Sequence, residues 1–466
     1  MIVISVIFGI LFSVRYLLVA LFLGAYAWAQ CTSYYRLSNF RGPLWASITN
    51  LWMVRSVYLR RAHLDLYHAY QKYGELTRIG PNVLLTSDPD LVQHMSSPKS
   101  GYTRAQWYAG QKLEVGHDNL LSTVDDNIHT KKRAQMAMGY SGKDVEGVEV
   151  ALDKHILSFL DLIRRKYIST SSDLRPLDLA RRVSFFVMDF TTDIAFGHPW
   201  GCLVNDEDVD KWFESAAIFL PVVIMVSTIP WLAQLFSIPL VGKFVGPSDK
   251  DKTGPGKILR AVKEVVRRRF DLKDHEQKRD MMGSFIRHGI SRNDVVAEAA
   301  LQIAVGTDTT ATTIRTTMLY IMTNPRVYHK LQTEIDSTMC RVEIIPDKLA
   351  RTMPYLQAVI KEGSRICPPT TGILSKKAPP AGENFKGNFI PGGTEIGQCA
   401  WGLQRSKEVY GDDSECFRPE RWLEAKGERL EKMEKSLGLL WGYGKFSCLG
   451  KHIALLELNK VFFEVS

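Results

Sequence analysis

The chain has 466 residues, 45% hydrophobic and 23% charged, a composition that fits a globular protein with a large core and excludes a disordered or fibrous chain. Its 59 basic and 50 acidic residues leave a formal charge of +9, which suits an anionic membrane surface or an acidic protein partner and does not call for nucleic acid. The cysteines (31, 202, 340, 367, 399, 416 and 448) are odd in number and never form CxxC, which argues against a disulfide framework and structural zinc and for a reducing compartment.

Ile2 to Trp28 is almost wholly apolar and long enough to span a bilayer. Arg15 interrupts it, and an arginine at mid-helix costs about 2.5–3.5 kcal/mol, less if it snorkels. Ala25-Tyr26-Ala27 has the look of a signal cleavage site, but there is no basic segment before the run, and the run exceeds a signal peptide's apolar core. Residues 1–30 therefore read as a retained membrane anchor. Arg36 and Arg41 follow it and place the rest of the chain in the cytosol.

His63 to Tyr73 reads as an amphipathic helix, and "ELTRIGPNVLLTS" as a hairpin turning at Gly80-Pro81-Asn82. From Val145 to about Arg292 the spacing is mostly helical, with a surface loop expected at Pro247–Gly256. The longest helical signal starts at the N-cap candidate Ser291 and runs to about Met322, roughly 30 residues or about 45 Å. Its middle, "AVGTDTTATT", turns polar, which is costly unless those groups find partners. After Phe385 short strands and turns take over. The expectation is a mainly α fold with a small β part and no internal repeat, residues 31–466 forming one domain.

Four stretches carry chemistry. In "WGYGKFSCLGK" a lone cysteine, Cys448, sits among Gly442, Gly444 and Gly450. A lone cysteine is most often a small buried hydrophobe. Here glycines let the backbone approach a flat object, and the helix that follows would favour a thiolate, hence a metal ligand. Asp308 and Thr309 place an acid beside an alcohol in the long helix; a threonine bonded back to its own helix is the ordinary reading, a proton relay the functional one. Glu362 and Arg365 share one face of an apolar helix, where a buried pair would need a third partner. "FRPERW" supplies one in Arg421.

In this order and spacing, these stretches resemble a haem-thiolate monooxygenase, cytochrome P-450. "RIGPNVL", "FIPGGTEIG" and "FRPERWLE" resemble filamentous-fungal microsomal members, including the pisatin demethylase-like group. The resemblance implies the cytochrome P-450 fold and haem b ligated by Cys448. Asp308 and Thr309 would deliver protons to bound dioxygen, and Glu362, Arg365 and Arg421 would form a structural triad. His129 and Arg133 would contact one haem propionate and Lys376 the other. It implies an oxidoreductase that oxidises a lipophilic small molecule, such as a terpenoid or polyketide of fungal secondary metabolism. Electrons would come from NADPH–cytochrome P-450 reductase at the endoplasmic reticulum membrane, with Lys445 and Lys451 as docking candidates. Substrate would meet Gly101–Asn119, about Val204–Val245, the helix face near Ala300 and Ala304, and Pro369–Ile373.

Three departures stand out. Trp441 replaces a phenylalanine and would shield the thiolate. Phe446 replaces a propionate-binding arginine, so haem retention would lean on Arg133 and Lys376. The chain stops at Val465-Ser466 where the family continues, and GTGAGT, a splice donor, encodes Val-Ser, so a C-terminal truncation is expected. The rival readings are an inactive haem-binding remnant and an oxygen-independent rearrangement, the latter opposed by Asp308-Thr309.

Overall fold

The computed structural model describes residues 2–465 except 115, 239, 243–245, 247, 249, 252–253, 272–277 and 339–342. Helices dominate, and the strands gather into a five-stranded sheet of order β1-β2-β7-β4-β3 and a separate hairpin, β5-β6. These are β1 (Thr77–Gly80), β2 (Val83–Thr86), β3 (Thr103–Arg104), β4 (Lys376–Lys377), β5 (Glu383–Phe385), β6 (Asn388–Ile390) and β7 (Glu395–Gln398). β1 and β2 form the antiparallel hairpin expected around Gly80, and β2 runs parallel to β7. The alternating "VLLT" and "EIGQ" segments are almost entirely buried, as strands covered on both faces are.

The apolar N-terminal run is helical over Ile2–Arg36, and Val14–Arg36 is long and apolar enough to cross a membrane. Its end is tied to the sheet. Arg78, 1% exposed, donates to the carbonyls of Ser33, Tyr34 and Pro81, while Arg36 donates to Gly392 O and Asn82.

The long central helix runs from Arg292 to Thr323, capped by the Ser291 hydroxyl, which accepts from Asp294 N. It is not one regular helix. Gln302–Gly306 forms a π turn, which inserts an extra residue where the polar stretch begins. The helix Leu179–Phe196, with Phe185, Phe186 and Phe190 fully buried, packs along it. On another side it meets the helix Pro354–Ile366. A Cβ at Gly363 would lie 1.9 Å from Thr317 Oγ1, so the approach demands glycine and offsets its helix cost of about 1 kcal/mol. Of the loop expected at 247–256, residues 247, 249, 252 and 253 lie outside the described residues, and Gly254 already opens the helix Gly254–Asp271.

Candidate active site

The cysteine turn is built by glycine. Gly442 and Gly444 adopt φ of 71° and 59°, and a Cβ at Gly442 would sit 2.5 Å from Phe446 O. Cys448 N donates to Trp441 O at 2.6 Å, closing the turn just before the helix Lys451–Val465. Cys448 is exposed into a cavity of about 260 Å³ and is otherwise surrounded by protein. Burial pushes the thiol up, while the Gly450 and Lys451 N–H groups and the Arg133 and Lys451 cations hold it down. The net direction is up. The helix start acts as expected, and desolvation outweighs it.

The central helix forms the facing wall through Leu301, Gln302, Val305, Gly306, Thr309 and Thr310. Ala300 and Ala304, expected on this face, are buried at 9% and 6% exposure, and Ala304 packs in the helical core. Their sequence neighbours Leu301 and Val305 line the cavity. Thr309 Oγ1 donates to Val305 O at 2.9 Å, the ordinary back-bond, which leaves its lone pairs free. Asp308 is exposed and pairs with Arg315 at 3.6 Å. Arg315 also donates to Thr312 Oγ1 at 2.6 Å.

Basic groups crowd one end of the cavity around the Phe446 ring. Lys376 Nζ lies 2.9 Å from the ring centroid, Lys445 Nζ 5.1 Å, Arg104 Cζ 5.8 Å and the His129 ring 5.6 Å. Lys376 Nζ, His129 Nδ1 and Arg104 Nε are buried without a hydrogen-bond partner among the described residues. Burial and the nearby Arg104 hold Lys376 well below the usual lysine range. Burial, then Arg104, Arg133, Lys376 and Lys445, depress His129 to about 3, so its imidazole is neutral. Arg133 lines the cavity and grips the cysteine turn, donating to Ser447 O at 2.6 Å and Ser447 Oγ at 2.9 Å. Lys445 is paired with Asp126 at 2.8 Å, and Lys451 reaches over the Trp441 ring. Sequence reasoning missed Arg104. It faces Lys376 only because β3 pairs with β4, placing residues 104 and 376 in register.

Glu362, Arg365 and Arg421 meet in one buried network, all three side chains 0% exposed. Glu362 accepts from Arg365 Nη2 at 2.8 Å, Arg365 Nε at 2.9 Å, Arg421 Nε at 3.0 Å, Arg418 N at 2.8 Å and Trp422 Nε1 at 2.9 Å. The remaining guanidinium protons go to Asp413 and to the carbonyls of Gln404, Tyr410, Asp413, Ser414 and Cys416. Every charge is compensated, which makes so much buried charge tolerable. Glu457 differs: it lines the thiol cavity, is 2% exposed, leaves Oε2 unpartnered, and is pushed well up by burial alone.

A second cavity, about 220 Å³, brings together Trp107, the Pro221–Thr228 stretch and Thr371–Ile373 with residues 53–66. Leu121 lines the thiol cavity and packs in the same apolar cluster as Trp107 and Ile373, which line the second.

A mainly helical body with a small sheet, and a slot between a cysteine turn and a π-kinked threonine helix, defines the class of fold. Residues 41–465 match the family model described as Cytochrome P450. The protein named "Cytochrome P450 monooxygenase ABA1" of Pyricularia oryzae is 40% identical over 443 residues, 93% of this chain and 86% of the relative. "Cytochrome P450 monooxygenase aba1" of Botryotinia fuckeliana is 37% identical over 426 residues, 90% and 83% of the two chains. "Cytochrome P450 monooxygenase abl1" of Leptosphaeria maculans is 36% identical over 441 residues, 93% and 77%. The chain therefore belongs to the cytochrome P450 family of oxidoreductases. Membership implies haem-thiolate binding and electrons from a redox partner.

Proposed function

We propose that this protein is a membrane-anchored monooxygenase that binds haem b through Cys448 and oxidises a lipophilic small molecule in fungal secondary metabolism. The observation that carries this reading is the set of buried basic side chains around Phe446, at the edge of the thiol cavity, with nitrogens that have no partner among the described residues: Lys376 Nζ, His129 Nδ1 and Arg104 Nε. An unpaired buried donor is costly, and haem brings two propionates. Lys376, Arg104 and His129 would hold those carboxylates, Arg133 would hold the cysteine turn, and the Phe446 ring would support Lys376 from beneath. The arginine that the family pattern usually has at position 446 would here add a further cation to an already crowded cluster.

When bound, thiolate-ligated haem supplies the activation of dioxygen. The protein's own part is to place protons and exclude water. Thr309 Oγ1, anchored to Val305 O, keeps acceptor capacity toward the cavity, and the exposed Asp308, one residue earlier and paired with Arg315, would link it to solvent. The Glu362 network holds the segment 404–421 against the helix Pro354–Ile366 and would serve as framework. Electrons would come from NADPH–cytochrome P-450 reductase, whose acidic surface the +9 chain suits. Val14–Arg36 supports a membrane anchor, together with exposed Leu44, Trp45, Leu51, Tyr58 and Leu59 just after it. The endoplasmic reticulum, with the catalytic part in the cytosol, is the matching location. A carbon-monoxide difference spectrum of the reduced protein tests the reading: a band of thiolate-ligated haem is expected, and its absence overturns it.

A further inference from the structure

The second cavity is lined by an exposed cation, Arg60, and by no acidic residue among the described ones. Its lining residues are apolar or uncharged (Met53, Val57, Leu66, Trp107, Pro221, Ile224 among them) except for Arg60 and His63, and none is acidic. Burial and the nearby Arg405 lower His63, so it is neutral there at pH 7, and Arg60 supplies the charge. Arg60 follows the helix Leu51–Tyr58 with φ of 56°, and Arg61 N donates to Ser56 O, a helix ending in which glycine is the usual left-handed residue. An arginine stands there despite that backbone preference.

Its direction has a physical cause. Pro221 lies inside the helix Trp212–Ser227 and has no N–H, so the carbonyl four residues earlier, Ala217 O, loses its helical donor. Arg60 Nη2 turns to that carbonyl at 3.4 Å. The contact ties the guanidinium to the helix that carries Pro221 and Ile224 of the cavity lining, and leaves its other donors uncommitted among the described hydrogen bonds.

We propose that Arg60 selects amphipathic substrates with a single carboxylate head, whose apolar body enters the second cavity against Trp107, on the side of the cluster that Leu121 joins to the thiol cavity. A guanidinium matches one carboxylate in charge and in two-pronged geometry. A diphosphate would leave negative charge uncompensated, and the lining offers no acid to hold a divalent cation. This inference rests on the monooxygenase reading for the meaning of the thiol cavity and adds the class of molecule delivered to it.

The test uses the full-length haem-loaded protein. Binding of dodecanoic, hexadecanoic and farnesoic acids and of their methyl esters is measured by equilibrium dialysis, which does not depend on the haem spectrum. The acids are expected to bind about tenfold tighter than the esters, the gain of a charge-assisted pair. Arg60→Gln keeps a donor for Ala217 O and removes the charge; it should erase the preference and leave the esters unchanged. Arg60→Lys should retain part of it. Equal binding of acid and ester, or an acid preference that survives Arg60→Gln, overturns the proposal even if the carbon-monoxide band is that of a thiolate. A missing thiolate band with the acid preference intact breaks the monooxygenase reading alone.

Discussion

Glu362, Arg365 and Arg421 are as deeply buried as Lys376, His129 and Arg104, yet the two groups are in opposite states. The first has every donor and acceptor used and its charges balanced. The second is basic, with three buried nitrogens that have no partner. Complete pairing marks a framework, since the protein alone can stabilise it. Incomplete pairing of one sign marks a place where something else supplies the opposite charge.

The comparison can be broken at several points. The largest effect is expected at Cys448, which lies outside both groups: Cys448→Ser should abolish the thiolate band in the reduced carbon-monoxide spectrum while leaving the helical circular dichroism of the haem-free protein unchanged. A retained band would move the ligand elsewhere.

Next comes the framework. Glu362→Gln leaves two buried guanidinium groups facing a neutral amide, and a loss of about 3–5 kcal/mol in denaturant unfolding is expected, with or without haem. A loss under about 1 kcal/mol would mean that the network is solvated and is not the framework.

Lys376→Met should separate the two groups by sign. It removes a buried amine that lacks a partner, so the haem-free protein should gain about 1–3 kcal/mol. Haem transfer to apomyoglobin should meanwhile become faster. Destabilisation of the haem-free form would show that Lys376 is already satisfied without a ligand.

A pH dependence is a further test. His129 is depressed from 6.5 to about 3 in the folded state, so between those values the unfolded chain binds a proton that the folded chain refuses. Stability of the haem-free protein should fall as pH drops from about 6.5 toward 3, and His129→Phe should flatten that slope. Glu298 gives the opposite sign. Burial raises it to about 7, so its contribution is present below about 4.5 and is lost as pH rises through 7. Glu298→Gln should remove the loss at neutral pH while leaving the acid limb in place.

Local pattern settled a good deal. The apolar N-terminal run, the hairpin at Gly80-Pro81-Asn82, the Ser291 cap, and the i, i+3 placement of Glu362 and Arg365 all follow from spacing, because neighbours along the chain determine them. Glycines at 442 and 444 likewise announce a turn that other residues would strain. The rest depended on contacts between distant segments. Packing decided which residues of the central helix line the thiol cavity: Leu301 and Val305 do, while their neighbours Ala300 and Ala304 are buried. The pairing of β3 with β4 decided that Arg104 meets Lys376, and the packing of two helices decided that Arg60 reaches the carbonyl freed by Pro221. One sequence lists the charged and nucleophilic groups; which of them are buried, and which stay unpaired there, is a property of the folded chain, because desolvation and pairing arise only when remote segments close around them.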